Sequence, residues 1–254
     1  AFGGTVTQVG PAKGDDPARW GLDPAKYPKG VRVARGWVIP CEVGGAIRYV
    51  KVRRHPADLA DQEARTGKKA EKYLCVAGGP SGGVIYGLDD ARDRADVVFC
   101  EGELNGLVLR QEIAGACGVV SVGAAGNTPG DWTLPVLALV ARWWAVFDPD
   151  DAGQKGRARL GSLSARVRPL AWPWADRGEK YDVNDAHSDG ENLAAWLIPQ
   201  IGPADGKRQA WLERCMTPLN DPAFDAGTDD ADPSLRTWLA LWDDYMAVLH
   251  KESA

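Results

Sequence analysis

The sequence reads Val97-Val98-Phe99-Cys100-Glu101-Gly102 at one point and Val146-Phe147-Asp148-Pro149-Asp150 at another, and these two stretches decide the fold. Each begins as an apolar run of the kind that forms a buried strand, and each ends abruptly in carboxylates. Because the carboxyl ends of parallel strands open onto one crevice, we expect the acidic side chains to converge there. Carboxylate oxygens in such a crevice suit divalent cations held against phosphate. The pattern favours phosphoryl-transfer chemistry.

Apolar strands and helices alternate between residues 96 and 200, which is typical of an α/β, Rossmann-like, mostly parallel sheet with helices on both faces. Strands are predicted at 96–100, 118–122, 143–147 and 166–172, and helices at 104–113, 134–141, 152–163 and 192–201. Upstream, a hairpin is predicted over 31–54 and short strands at 73–76 and 84–86, with a polar surface loop over 58–72. The α/β region is therefore preceded by a small β-rich α+β subdomain.

Four regions are expected along the chain. Residues 1–30 are rich in Gly, Pro and charge and are interpreted as an irregular lead-in. Residues 31–92 form the basic, β-rich subdomain, and residues 93–200 the catalytic domain. Residues 201–254 comprise an acidic linker over 221–233 and C-terminal helices, among them an amphipathic helix over 235–251.

The composition limits the classes of protein to be considered. The 254 residues carry a net charge of −5, which argues against a uniformly basic nucleic-acid coat but leaves room for a local basic strip. The five cysteines are scattered and never form a C-x-x-C pair, which favours free thiols in a reducing cytoplasm over a zinc module. No apolar run approaches the roughly 20 residues that span a bilayer. We expect a cytoplasmic protein without a membrane partner.

Each acidic motif also has a purely structural interpretation. Glu101-Gly102-Glu103 could be an ordinary acidic helix start, since the helix dipole favours carboxylates there. Asp148 and Asp150 can point to the same side of an extended turn, whereas Asp151 is interpreted as the cap of the next helix. The segment Lys180-Tyr181-Asp182-Val183-Asn184-Asp185 could be a loop with a capping aspartate.

In combination, the motifs resemble the Toprim domain, and with the upstream segment they resemble the catalytic core of bacterial and phage DnaG-type DNA primases. The resemblance covers roughly residues 30–190. It rests on four stretches at 97–102, 121–126, 147–153 and 180–185, which match a strand with an acidic glycine turn, a Gly-rich turn, a D-x-D-x-A-G loop and a late acidic loop. Upstream, it rests on 36–40, 46–54, 71–73 and 85–88.

The resemblance implies a function and a set of site residues. The implied activity is Mg²⁺-dependent (or Mn²⁺-dependent) synthesis of short RNA primers on a single-stranded DNA template from nucleoside triphosphates. Glu101, Asp148 and Asp150 would be catalytic, and the same three with Asp182 would hold the metal. Arg53, Arg54, Lys72 and Tyr73 would bind the template and the incoming nucleotide, although basic residues on a strand also serve simply as a solvated face.

Several departures from the family pattern keep other functions open. Asn105 stands where the family often has a second acid, and the turn before residue 84 lacks the usual lysine. Neither a zinc ribbon nor a helicase motor is found in this sequence, so both are expected in other polypeptides or outside this stretch. The alternatives are a Toprim metal-dependent nuclease or topoisomerase-like module, and a non-catalytic single-stranded-DNA-binding component of the replisome.

Overall fold

The computed structural model describes residues 7–77, 83–92, 94–113 and 115–201. They form two compact units, one from the described residues up to 77 and the other from the described residues beginning at 83. The predicted C-terminal linker and amphipathic helix lie outside the described residues. Within the described residues, no helix is both long and apolar enough to cross a membrane.

The first unit is built on antiparallel strands. A four-stranded sheet has the order β1-β4-β5-β6, and a separate pair joins β2 to β3. One face of the larger sheet packs valines from several strands into an apolar cluster that includes Val38, Val50 and Val52. The elements are β1 (Thr7–Val9), β2 (Ala12–Asp15), β3 (Val31–Val33), β4 (Gly36–Val43), β5 (Ala46–Arg54), α1 (Pro56–Thr66) and β6 (Tyr73–Cys75).

Two expectations for this unit are wrong. The predicted irregular lead-in contains β1 and β2, which are three and four residues long and therefore too short to show a period in the sequence. The predicted surface loop over 58–72 contains α1, which buries none of its residues and so lacks the apolar stripe by which helices are recognised. Its end signals are present nonetheless, with Pro56 at the first turn and Gly67 in the left-handed conformation after the last.

The second unit contains the predicted parallel sheet, with strand order β10-β9-β7-β8 and every pair parallel. This confirms the α/β fold class. The strands are β7 (Asp96–Cys100), β8 (Gly118–Ser121), β9 (Arg142–Val146) and β10 (Val167–Pro169). The helices are α2 (Glu103–Glu112), α3 (Leu134–Ala138), α4 (Asp151–Gly161), α5 (Val183–Ser188) and α6 (Leu193–Ile201).

The helices cover both faces of this sheet. Val98 and Cys100 of β7 pack with residues of α2, α5 and α6 in one apolar cluster. The alternate residue Phe99 points to the other face, where its ring centroid lies 5.2 Å from that of Trp143. The connection from β7 to β8 runs in one direction across the sheet, whereas those from β8 to β9 and from β9 to β10 run in the other. Because such crossovers are right-handed, α3 and α4 lie on that second face.

Residues 83–92 belong by their contacts to the second unit, although the sequence assigns them to the upstream subdomain. Tyr86 exchanges two backbone hydrogen bonds of 2.9 Å with Ser121 at the end of β8. Asp90 accepts a hydrogen bond of 2.8 Å from the backbone N–H of Val119. The strand predicted at 84–86 is thus reduced to a single bridge at Tyr86, because only one residue of the segment pairs with the sheet.

Candidate metal centre and nucleic-acid interface

The strand order brings the two deciding acidic motifs together. From β7 the chain crosses to β8 on one side, and β9 returns on the other side of β7. Adjacent parallel strands whose crossovers diverge in this way leave a crevice at their carboxyl ends, which is the usual place for a ligand in an open α/β sheet. Cys100 pairs with Val146, so Glu101 and Asp148 follow the strands within two residues of the last paired position.

Glu101 is half-buried beside the Gly-rich turn that follows β8. The backbone N–H of Ala125 hydrogen-bonds its carboxylate, while the other oxygen, Oε2, is buried without a hydrogen-bond partner. Ser121 fixes the chain at this point, since its Oγ donates to the Glu101 carbonyl at 3.0 Å and accepts from the backbone N–H of Gly123 at 3.0 Å. Burial, and secondarily the charges of Asp150 and Asp182, raise the pKa of Glu101.

Asp148 is the most strongly perturbed carboxylate at this crevice. Its burial and the neighbouring charges of Glu101, Asp182 and Asp150 raise its pKa to about 7. Its Oδ1 accepts a hydrogen bond of 3.2 Å from Nδ2 of Asn105 on α2. Asn105 accepts in turn from the amide of Asn184 on α5, so a chain of two amides holds the carboxylate. Burial first, and then the like charges around it, explain why Asp148 resists ionisation.

Asp150 has a structural as well as an electrostatic role. Its Oδ1 accepts a 2.8 Å hydrogen bond from the backbone N–H of Gly153 and so caps α4. The interpretation of Asp151 as the cap is therefore wrong by one residue, because Asp151 already lies in the first helical turn. A capping aspartate uses one oxygen for the helix, and the second oxygen can still bind a cation.

Close packing requires the glycine of the D-x-D-x-A-G motif and a second glycine one turn after it. A Cβ on Gly153 would lie 2.1 Å from the backbone oxygen of Asp148, far inside van der Waals contact. One turn later, a Cβ on Gly156 would lie 2.9 Å from the Ala125 oxygen and from the Phe147 ring. These two positions let α4 start directly beside the strand end, which keeps Asp148 and Asp150 at the crevice.

Asp182 lies at the start of a helix rather than in the predicted loop. Its Oδ1 accepts hydrogen bonds from the backbone N–H groups of Asn184 at 2.8 Å and Asp185 at 3.0 Å, and Asp185 reciprocates in a capping box. Helix α5 is only six residues long, so no apolar period reveals it in the sequence. The charge of Asp182 raises the pKa of both Glu101 and Asp148, which places it in the same acidic cluster.

The acidic cluster of Glu101, Asp148, Asp150 and Asp182 fits a cation that retains water. Among the described residues, no three carboxylate, imidazole or thiol groups are arranged to hold a metal ion jointly. The unpartnered Oε2 of Glu101 and the mutual repulsion in the cluster nevertheless leave a deficit of positive charge. Mg²⁺ is commonly bound by one or two carboxylates, with water and substrate phosphate completing its coordination. The chemistry of the donor set therefore fits Mg²⁺ or Mn²⁺.

The four predicted nucleotide-binding and DNA-binding residues are divided between two faces of the first unit. Arg53 and Tyr73 are paired across β5 and β6, and Nη1 of Arg53 donates to the Tyr73 hydroxyl at 2.5 Å. Arg54 faces the other way, because successive strand residues alternate, and its guanidinium binds Gln62 of α1 at 2.8 Å. The exposed Lys72 lies beside Arg54, whose backbone N–H donates to the Lys72 carbonyl.

Arg54 lines an open cleft between α1 and the strands of the first unit, with a volume of about 1060 Å³. The ion pair of Arg35 with Asp58 joins α1 to the chain just before β4 at one side of this cleft. Acidic side chains at the cleft are fewer than cationic ones, so its field is positive. The cationic residues are Lys13, Arg32, Arg35, Arg54, Arg65, Lys68 and Lys69, and the acidic ones are Asp58, Asp61 and Glu71.

The sequence did not reveal the residues that support the acids. Asn105 and Asn184 lie 79 positions apart, and amide side chains have no characteristic spacing that would link them. Ser121 is completely buried, and in the sequence it stands out only as part of the Gly-rich turn. For Asn105 there was a signal, since it is the position at which the family pattern has a second acid.

No protein-family model matches the chain, and no curated protein matches it. The primase fragment of the bacteriophage T7 primase–helicase protein is similar over 66% of this chain and 64% of that fragment, with 20% identity and a TM-score of 0.45. This chain thus spans less than two thirds of that fragment.

A second similar chain belongs to the structure of the bacteriophage T7 lagging-strand DNA polymerase interacting with primase domains of two gp4 subunits bound to an RNA/DNA hybrid and dTTP. It matches over 68% of this chain and 83% of its own length, with 18% identity and a TM-score of 0.44. The solved structures to which this α/β chain is similar therefore include the primase domain of a phage primase–helicase.

Proposed function

We propose that this protein is a Mg²⁺-dependent nucleotidyltransferase of the primase type, which synthesises short RNA primers on single-stranded DNA. The observation that carries the proposal is the acidic cluster at the divergence of β7 and β9. Burial and mutual repulsion raise the pKa values of Glu101 and Asp148 there, and one oxygen of Glu101 is buried without a partner. Carboxylates whose pKa values are raised by burial and by charged neighbours in a crevice are candidates for a functional site.

The residues of the cluster have distinct roles in this proposal. Asp148 and Asp150 would hold Mg²⁺, and Asp182 would complete the negative field. When bound, divalent cations would stabilise charge on the attacking 3′-hydroxyl oxygen and on the departing pyrophosphate. Glu101, with its raised pKa and unpartnered oxygen, accepts the proton of the 3′-hydroxyl as the new bond to the α-phosphorus forms.

The basic cleft of the first unit supplies the nucleic-acid contacts. Its cationic side chains, together with Lys72, bind backbone phosphates of the DNA template and the nucleoside triphosphates. Contacts of this kind position a strand without reading its sequence, and their loss weakens binding in a salt-dependent way. A helicase or a zinc-ribbon domain in other polypeptides, or outside this stretch of sequence, would provide unwinding and start-site recognition.

A second candidate function is a single-stranded-DNA-binding replisome component without catalytic turnover. Asn105 favours it, because this position holds an amide hydrogen-bonded to Asp148 in place of a further carboxylate. The same arrangement reduces the number of ligands available to a second cation. The nuclease alternative has no comparable observation in its favour.

The deciding experiment incubates the protein with single-stranded DNA, labelled ribonucleoside triphosphates and either Mg²⁺ or Mn²⁺. Short labelled products that disappear with Asp148→Asn support the primase. Asn is the matched replacement, since its Oδ1 can still accept from Asn105 while the charge is lost. Metal-dependent shortening of the DNA would favour the nuclease. DNA binding without products or cleavage, under either metal, would favour the non-catalytic component.

A further inference from the structure

An aromatic and cationic row crosses the larger sheet of the first unit. Trp37 on β4 is paired with Arg53 on β5, and Arg53 is paired with Tyr73 on β6. Directly paired residues on neighbouring strands project from the same face of a sheet. Trp37 is 44% exposed, which is unusual for an indole in a folded protein and places a large flat surface in water.

The face that carries this row is not the face that packs into the valine cluster. The next residues along the strands, Val38 and Val52, are buried in the valine cluster on the opposite side. The next row on the same face, Ile39 and Lys51, is also buried. Packing in the valine core therefore does not explain Trp37, since a tryptophan that packed in that core would project from the same face as Val38 and Val52.

Arg53 is held in place beside the exposed indole. Its guanidinium carbon lies 5.2 Å from the centroid of the Tyr73 ring, and its Nη1 donates to the Tyr73 hydroxyl. Lys51 adds a second positive charge nearby, with Nζ 5.6 Å from the same ring centroid. An immobilised guanidinium loses little further entropy on binding and presents a flat surface for stacking.

We propose that Trp37 and Arg53 form a stacking surface for a nucleobase of single-stranded DNA, with Tyr73 as the residue that positions Arg53. An exposed indole offers a π-face to any base, and the charges of Arg53 and Lys51 complement the adjacent phosphates. Single-strand-binding proteins combine aromatic and cationic groups in this way. The inference rests on the proposed single-stranded-DNA partner, and it adds a base contact on this face to the phosphate contacts proposed for the cleft lined by Arg54.

The test measures binding of fluorescently labelled oligothymidylate by anisotropy over a series of salt concentrations, without divalent metal or nucleotide. Trp37→Ala should weaken binding about 5- to 100-fold, as expected for one lost base stack, while the slope of log K against log salt stays unchanged. Trp37→Phe should recover part of the affinity. Arg53→Gln should weaken binding and also make the slope shallower by about 0.7, because one phosphate contact is lost.

Two controls separate base stacking from other causes. Trp132→Ala removes an indole of similar exposure, 40%, from the second unit and should leave binding unchanged. An oligonucleotide of abasic sites should bind wild type more weakly and should not distinguish wild type from Trp37→Ala. The inference is overturned if Trp37→Ala binds oligothymidylate like wild type, or if it loses as much affinity for the abasic strand. Failure of the wild type itself to bind would instead contradict the proposed DNA partner.

Discussion

Asn105 Nδ2 lies 3.2 Å from Oδ1 of Asp148, across 43 positions of the chain. The amide sits on α2 and the carboxylate follows β9, so this hydrogen bond links the loops at the ends of two adjacent strands. A neutral donor orients Asp148 without adding charge to a cluster in which the carboxylates already repel one another. In this chain, amide side chains therefore hold Asp148, and Asn105 stands at a position where the family pattern often has a further carboxylate.

Replacing Asn105 by Asp should make the thermal stability of the protein depend more strongly on metal. The added charge would face Asp148, so the melting temperature without metal should fall at about pH 8, and Mg²⁺ should raise it more than in wild type. Asn105→Ala serves as the control, since it leaves Asn184 and Asp148 without their partner at a cost of about 1–3 kcal/mol but adds no charge. Equal Mg²⁺ responses of Asn105→Asp and wild type, measured by thermal denaturation, would contradict this role.

Because the pKa of Asp148 is raised in the folded protein, the stability of the fold should depend on pH. An acid whose pKa rises from 3.8 when unfolded to about 7 when folded stabilises the fold fully below about pH 3.8 and loses that contribution as the pH rises towards 7. Asp148→Asn should therefore melt at a higher temperature than wild type at about pH 8 in the absence of metal. The advantage should shrink as the pH falls through 7. A difference that does not depend on pH would exclude titration of Asp148 as its cause.

Asp150 allows its structural and chemical roles to be separated. Asp150→Asn keeps a good helix cap but removes the charge, whereas Asp150→Ala removes both. Both variants should lose metal-dependent synthesis, but only Asp150→Ala should lose about 1 kcal/mol of the free energy of unfolding, measured with urea. Synthesis by Asp150→Asn at the wild-type rate would remove Asp150 from the proposed metal ligands.

Gly153 should tolerate no side chain. The Cβ of Gly153→Ala would lie 2.1 Å from the Asp148 oxygen, so either the acidic loop or the first turn of α4 must shift. We expect a loss of about 1–3 kcal/mol in the free energy of unfolding together with loss of synthesis. Gly161→Ala in the same helix is the matched control, because nothing lies within 4 Å of its Cβ, and it should be neutral or stabilising. Similar behaviour of the two variants would refute the close-packing argument.

The sheet could be predicted from the sequence because its strands are continuously apolar. The runs at 96–100 and 143–147 are buried on both faces by helices, so their composition alone indicates strands. Helices α1 and α5 could not be recognised by an apolar period, since one buries no residue and the other has only six. Their capping residues were visible, but a cap without an apolar stripe is also found in ordinary turns.

The acidic residues of the candidate site could be predicted, whereas their supporting contacts could not. Glu101 and Asp148 follow recognisable strands, and strand order then brings them together. The amide chain through Asn105 and Asn184 joins α2 to α5 and depends on tertiary packing that no local pattern encodes. By contrast, the sequence does predict that Arg53 and Arg54 face opposite sides of the sheet, because adjacent residues on a strand alternate between the two faces.

The connections that follow β7 and β9 lie on opposite faces of the sheet, and this has a mechanical consequence. Glu101 and Asp182 precede helices of one layer, whereas Asp148 and Asp150 precede α4 in the other. A metal ion bound by one acid from each layer would link the two helical layers across the carboxyl end of the sheet. Loading the ion should therefore slow amide hydrogen exchange in α2 and α4 alike, although the two helices are packed against opposite sides of the strands.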